Sequence, residues 1–286
     1  MRVAIALALI SAVIFGVSDY VGGRSSRRLP PVGVALTAEL VMLPVFLVVV
    51  PLIESQSPSA AAVWWGMIAG LTGSAGVLGL YVALSRGNMT LVAPITGVIA
   101  AAVPVAVGVS LGERPSALAW LGVAIAVVAV ALIGGVVGLV DGVGRTPIDG
   151  VTVGLAVAVG VAFGLLFVAY ERPGEAGLWP IFFSRFTGLP MLAVAFAVML
   201  RGHQRPAVRR LLLPGVVIGL LVAGSNVTYL LSTRRGDLSL VAVVVSMYPA
   251  STVVLASILD GERPTPAQLL GMALAVVALV MITLGN

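Results

Sequence analysis

The sequence contains no cysteine and no lysine, and a single histidine, His203. Without cysteine there can be no disulfide, no thiol nucleophile and no thiolate-bound metal. Without lysine the phosphate-binding loop Gly-x-x-x-x-Gly-Lys-Ser/Thr cannot be written, so ATP-driven pumping by this chain is excluded. His203 lies in a basic segment between Arg201 and Arg210 and has no companions for a metal site or a catalytic triad. It reads as a solvated loop residue. Charge of either sign is scarce as well. Only 9% of the 286 residues are charged, against about 25% in a soluble domain. The net charge is nonetheless +5. No aromatic–basic patch of the kind that stacks bases accompanies it, so no nucleic-acid partner is expected. The arginines sit between apolar runs, where they orient the chain and meet lipid headgroups.

What the sequence has in abundance is apolar length. Hydrophobic residues make up 60% of the chain and the mean hydropathy is +1.16. Runs of about 20 apolar residues cross a bilayer core roughly 30 Å thick as helices. Ten candidate spans follow, near 3–23, 31–53, 61–85, 91–111, 116–139, 149–170, 179–200, 210–231, 238–259 and 265–285. The first begins like a signal peptide, but its apolar run continues to about Gly23 with no A-x-A-type site before polar sequence. It is expected to be a retained helix. The expected fold class is an all-α integral membrane protein.

The chain also repeats itself. Residues 86–133 and 235–282, placed 149 positions apart without a gap, match at 19 of 48 positions. The match includes Gly112-Glu113-Arg114-Pro115 and Gly261-Glu262-Arg263-Pro264. Pro31 and Pro180, Leu40 and Leu189, Met42 and Met191, and Leu43 and Leu192 keep that offset, and Phe15-Gly16 matches Phe163-Gly164 at 148. Two units are expected, residues 1–140 and 149–286, each with five helices. Five is odd, so the second half must enter the membrane from the opposite side. Inverted repeats of this kind are a common construction of secondary transporters.

Small residues four apart, at Gly66 and Gly70, Gly134 and Gly138, Gly160 and Gly164, and Gly215 and Gly219, are spaced for close helix contact. Pro94, Pro104 and Pro249 fall inside spans, where each removes a backbone donor and can kink or gate a helix.

A charge inside a span costs roughly 2.5–3.5 kcal/mol on insertion scales, so each is a functional candidate. Three qualify: Asp19, Glu39 and Arg185. At 1.5 Å per residue, Glu39 lies about 12 Å beyond Pro31, and Arg185 about 7–8 Å beyond Pro180 from the other face. Their side chains can largely bridge the difference. Arg185 aligns with Leu36 in the repeat, and Glu39 is nearly one turn beyond Leu36. Both should therefore face a central cavity and pair there when it is empty. An amino acid could replace that pair, its carboxylate on Arg185 and its ammonium on Glu39. Asp19 and Tyr20 near the end of the first helix, and Asn226 and Tyr229 one turn apart in the eighth, complete the candidate substrate-binding set. For Asp19 the competing role is contact with Arg24 or Arg27, and for Asn226 a helix–helix hydrogen bond. Tyr81 and Trp179 read as interfacial anchors. Glu113-Arg114 and Glu262-Arg263 read as loop residues that cap or pair locally.

At Phe15-Gly16-Val17-Ser18-Asp19-Tyr20, Tyr81-Val82-Ala83-Leu84-Ser85-Arg86-Gly87, Leu91-Val92-Ala93-Pro94-Ile95 and the two Gly-Glu-Arg-Pro strings, the chain resembles EamA-type transporters of the drug/metabolite transporter superfamily. The resemblance covers essentially the whole chain. It implies ten helices in two inverted five-helix halves, a central cavity, alternating access, and often export of amino acids, metabolites or drugs. Some small relatives couple to protons through a glutamate in the middle of the first helix, which this chain lacks. Phosphate-carrying relatives use several cations, whereas only Arg185 lies well inside a span here.

The function expected is gradient-driven or facilitated export of small amphiphilic metabolites, with no cofactor, no metal and no catalytic residue. The expected partners are a small-molecule substrate and the lipid bilayer, in a bacterial inner membrane; the chain could be a monomer or a homodimer. A lipid or lipid-linked-sugar flippase of the same fold is the alternative. A lipid-modifying membrane enzyme would need clustered acids, histidines or a metal site that the sequence lacks. Orientation is contested. Ten arginines fall on the side away from the termini and five on the side with them, with Arg185 inside the membrane. That bias favours termini outside, whereas the resemblance implies cytoplasmic termini. The resemblance is preferred because the excess comes mostly from two loops.

Overall fold

The structure is a computed structural model describing residues 2–26, 28–85, 89–133, 150–174, 176–201, 208–259 and 265–284. Within them all regular secondary structure is helical, without strands. The first half contributes α1 (Arg2–Ser26), α2 (Pro31–Ile53), α3 (Ala60–Ser85), α4 (Met89–Ser110) and α5 (Ala117–Ile133). The second contributes α6 (Gly150–Glu171), α7 (Trp179–Leu200), α8 (Val208–Thr233), α9 (Leu238–Val245), α10 (Pro249–Leu259) and α11 (Pro266–Leu284). Six of these, α1, α2, α3, α6, α7 and α8, are long and apolar enough to cross a membrane; the others hold shorter apolar stretches. Large apolar side chains also point outward, with Leu213 74% and Ile258 71% exposed. A surface so apolar suits lipid rather than water. The protein is a multi-pass integral membrane protein.

One expected span is two helices. The stretch 238–259 breaks at Ser246–Tyr248, between α9 and α10. Pro249 has no N–H to give to Val245, one turn back. The Val245 carbonyl accepts from Tyr248 N–H at 3.1 Å instead, in a tighter turn. Pro249 therefore opens α10 rather than kinking a continuous helix. Pro104 lies buried within α4, whose helix runs on past it. Pro94 is also inside α4, but its side chain, those of Tyr81 and Pro249, and residues His203, Gly134, Gly138, Glu262 and Arg263 lie outside the described residues.

The helices pack in a pattern unchanged by exchanging the halves. α1 lies on α8 as α6 lies on α3, and α2 touches α8 as α7 touches α3. α4 packs on α6 as α9 and α10 pack on α1, while α2 meets α7 and α5 meets α11 across the middle. Glycines permit the close crossings. A Cβ on Gly160 would lie 2.6 Å from Ile99 Cβ, and one on Gly219 2.6 Å from the Ala38 carbonyl. A Cβ on Gly70 would overlap the Ser184 carbonyl. That last contact seats α7 against α3 one residue before Arg185.

Candidate functional site

Between the halves lies a cavity of about 110 Å³, room for on the order of ten water molecules. Helices from both halves line it, among them α1, α2, α3, α6, α7 and α8. Most of its wall is apolar or aromatic, including Phe15, Phe163 and Phe167. Its charged lining residues are Asp19, Glu39 and Arg185.

Arg185 and Glu39 meet directly. Arg185 Nη1 donates to Glu39 Oε2 at 2.8 Å, and both side chains are 7% exposed. The other guanidinium donors are also occupied. Nε and Nη2 donate to Ser184 Oγ at 3.1 and 2.7 Å, and Nη2 reaches the Tyr170 hydroxyl at 3.3 Å. Nη1 further contacts Met42 Sδ at 3.3 Å, and the guanidinium lies 5.8 Å from the centre of the Phe46 ring. Tyr170 and Ser184 stand 3.3 Å apart, and Ser184 Oγ donates to the Ile181 carbonyl at 2.7 Å. A buried ion pair is tolerated when hydrogen bonds satisfy its remaining donors, and Arg185 meets that condition.

Glu39 does not. Its second oxygen, Oε1, is buried without a hydrogen-bond partner among the described residues. It faces Gly188, whose Cβ, if it had one, would stand 3.1 Å away and 2.6 Å from Ser74 Oγ. Gly188 is the repeat partner of Glu39, 149 positions on. A residue that faces its own repeat partner lies where the two halves cross. The pair therefore sits at the centre of the molecule, and any side chain at 188 would crowd the carboxylate.

The other candidates divide. Asp19 and Asn226 line the same cavity. Asp19 has neither ion pair nor hydrogen bond among the described residues, and Arg24 instead donates to the Tyr20 hydroxyl at 3.1 Å. Asn226 is buried without a side-chain hydrogen bond among the described residues, so no helix–helix bond uses its amide. Tyr20 and Tyr229 are not among the lining residues. Tyr229 is fully buried, donates to the Phe167 carbonyl at 3.0 Å, and packs on the Phe167 ring at 4.9 Å. It props the wall from behind. Sequence reasoning missed Tyr170, Ser184 and Tyr248, all near or lining the cavity. A hydroxyl next to the only deeply placed arginine was the available signal for Ser184.

At the end of the molecule bearing the N-terminus, carboxylates join the two halves. Glu54 Oε1 accepts from Leu178 N–H at 2.6 Å, at the start of α7. Glu113 Oε1 accepts from Leu238 N–H at 2.8 Å, at the start of α9. Asp237 lies beside Glu113; its partial burial, and then the Glu113 charge, raise its carboxyl above the ordinary aspartate value. Trp179 Nε1 donates to the Gln56 carbonyl at 2.9 Å, and Arg172 stacks over Trp65 at 5.5 Å.

A duplicated helical half, a buried ion pair at the crossing and a cavity around it define a membrane transporter fold. The sequence profile of the EamA-like transporter family matches residues 2–135 and again 150–284. The chain belongs to that family, within the drug/metabolite transporter superfamily. One protein of known crystal structure is similar in fold, with TM-score 0.76 and 19% identity, covering 98% of this chain and 96% of its own. A sequence search of curated proteins finds no match.

Proposed function

We propose that this protein is a secondary transporter that exports small amphiphilic metabolites such as amino acids from a bacterial cell, by alternating access around the central cavity. The observation that carries this reading is the buried Arg185–Glu39 pair lining a cavity between repeated halves. In the proposed membrane arrangement α9 and α10 together make one broken span. That gives ten spans in two inverted sets of five, with movement driven by a gradient or simply facilitated.

The chemistry is an exchange of partners. A substrate carboxylate competes with Glu39 for Arg185 Nη1, and the released Glu39 carboxylate meets the substrate ammonium. Charge is conserved at each end, so the exchange avoids leaving a bare ion in a low-dielectric site. Ser184 and Tyr170 hold the other guanidinium donors, which keeps Arg185 in place while Glu39 leaves. The Asn226 amide adds a neutral hydrogen-bonding group on the α8 wall.

The test is counterflow of pooled labelled amino acids in proteoliposomes, comparing the unaltered protein with Arg185→Ala. Flux that the substitution abolishes is expected. Flux indifferent to Arg185→Ala removes the carboxylate site, and absence of any amino-acid flux from folded protein removes the substrate class.

A further inference from the structure

Among the described residues, the charges that line the cavity do not balance. Arg185 contributes +1, Glu39 −1 and Asp19 −1, which leaves −1 when all are ionised. Arg185 and Glu39 cancel each other at 2.8 Å. Asp19 has no partner among the described residues: no arginine reaches it, and the nearby Arg24 is turned to Tyr20. Its neighbours do not supply a counter-charge. Ser18 donates to its own helix at Phe15 O (2.8 Å), and Tyr248, from the turn between α9 and α10, lies close enough to feel the Asp19 charge but is itself a neutral phenol. Asp19 is partly buried, and an unpartnered carboxylate within a membrane span is costly. A cation arriving with the substrate relieves that cost.

The placement of Asp19 relative to the pair also matters. Asp19 is one turn from Phe15 on the same face of α1. The Phe15 ring meets Phe167 at 6.3 Å, and Phe167 precedes Tyr170, the Arg185 partner, by one turn of α6. The unpaired acid and the ion pair thus line one cavity, whose wall includes the aromatic rings of Phe15 and Phe167.

We infer that Asp19 forms a second, cation-binding end of the cavity, so that the preferred substrate is a dibasic amino acid carrying one net positive charge. This rests on the transporter reading. Its carboxylate and α-ammonium engage Arg185 and Glu39, its side chain runs along Phe15 and Phe167, and its distal cation meets Asp19. Such a molecule brings the occupied cavity to neutrality, whereas a zwitterion leaves Asp19 bare and a dicarboxylic amino acid adds a second negative charge.

The test is counterflow in proteoliposomes with three separate labelled pools: lysine, arginine and ornithine; leucine and threonine; glutamate and aspartate. The unaltered protein is compared with Asp19→Asn. Removal of one member of a desolvated charge pair lowers affinity by about thirtyfold or more. The expected result is preference for the dibasic pool, with dibasic flux falling by that factor in Asp19→Asn and falling more than leucine and threonine flux. Ligand-induced thermal shifts of the unaltered protein in detergent give a second readout that does not depend on the folding of Asp19→Asn: lysine should stabilise it more than leucine. Preference for leucine and threonine, or equal slowing of every pool in Asp19→Asn, overturns the inference while leaving a transporter. No flux from any pool overturns the transporter reading and this inference with it.

Discussion

Arg185 and Glu39 are held by each other, and removing one leaves the other charged in a site where neither is more than 7% exposed. Breaking such a pair from one side costs about 3–5 kcal/mol. Glu39→Gln or Arg185→Gln alone should therefore lower stability by that order, read as a lower unfolding midpoint in detergent. The double variant should recover part of it, because no lone charge remains; a double variant no better than the worse single would show that the pair is not coupled. Ser184→Ala and Tyr170→Phe test a subtler role. Each leaves the ion pair but frees guanidinium donors, so substrate affinity should fall about tenfold with the maximal rate little changed, measured as a half-saturation shift in counterflow. Equal loss of both parameters would mark these residues as merely structural. The pair was legible in the sequence because charge inside an apolar run is expensive and has few reasons to be there. Tyr170 was not, because it abuts Glu171-Arg172 and reads as a tyrosine at a membrane edge. Tyr229 misled for the opposite reason: a polar aromatic beside Asn226 suggests a lining residue, yet its hydroxyl is spent on a backbone carbonyl behind the wall.

Among elements, the crossing of α3 and α7 sets where Arg185 stands. Gly70 has no space for a Cβ, which would overlap the Ser184 carbonyl and crowd Thr187. Gly70→Val should push α7 outward and cost about 1–3 kcal/mol by overpacking. Counterflow should fall by more than a similar destabilisation placed elsewhere, because Ser184 and Arg185 move with the helix. Gly154, whose Cβ would meet nothing within 4 Å, is the control: Gly154→Val should leave both readouts nearly unchanged. The glycine spacing was readable in sequence, although spacing alone could not say which helix each would meet. The break between α9 and α10 was half readable. Pro249 marked the place, but the outcome depended on Tyr248 N–H finding the Val245 carbonyl, a local geometry no pattern of apolar residues encodes.

Across the whole molecule, the repeat in the sequence reappears as packing that is unchanged when the halves are exchanged. A matched fold at 19% identity shows that this arrangement survives extensive change of side chains. In the proposed inverted arrangement the repeat cannot encode the state of the molecule, because exchanging the halves would exchange its two ends. Contacts between the halves cross the end bearing the N-terminus: Glu113 on Leu238 N–H and Glu54 on Leu178 N–H. If transport proceeds by alternating access, those contacts must part once per cycle. The chain has no cysteine, so introduced thiols react without background. Glu113→Cys combined with Asp237→Cys, bridged by a short thiol-reactive cross-linker, ties the two halves at this end. Counterflow should stop on bridging and return when a reducible linker is cleaved, while each single variant treated with the same reagent keeps its flux. Full flux from the bridged protein would mean that this end need not open, and that substrate leaves the cavity by a route that does not separate the halves at Glu113 and α9.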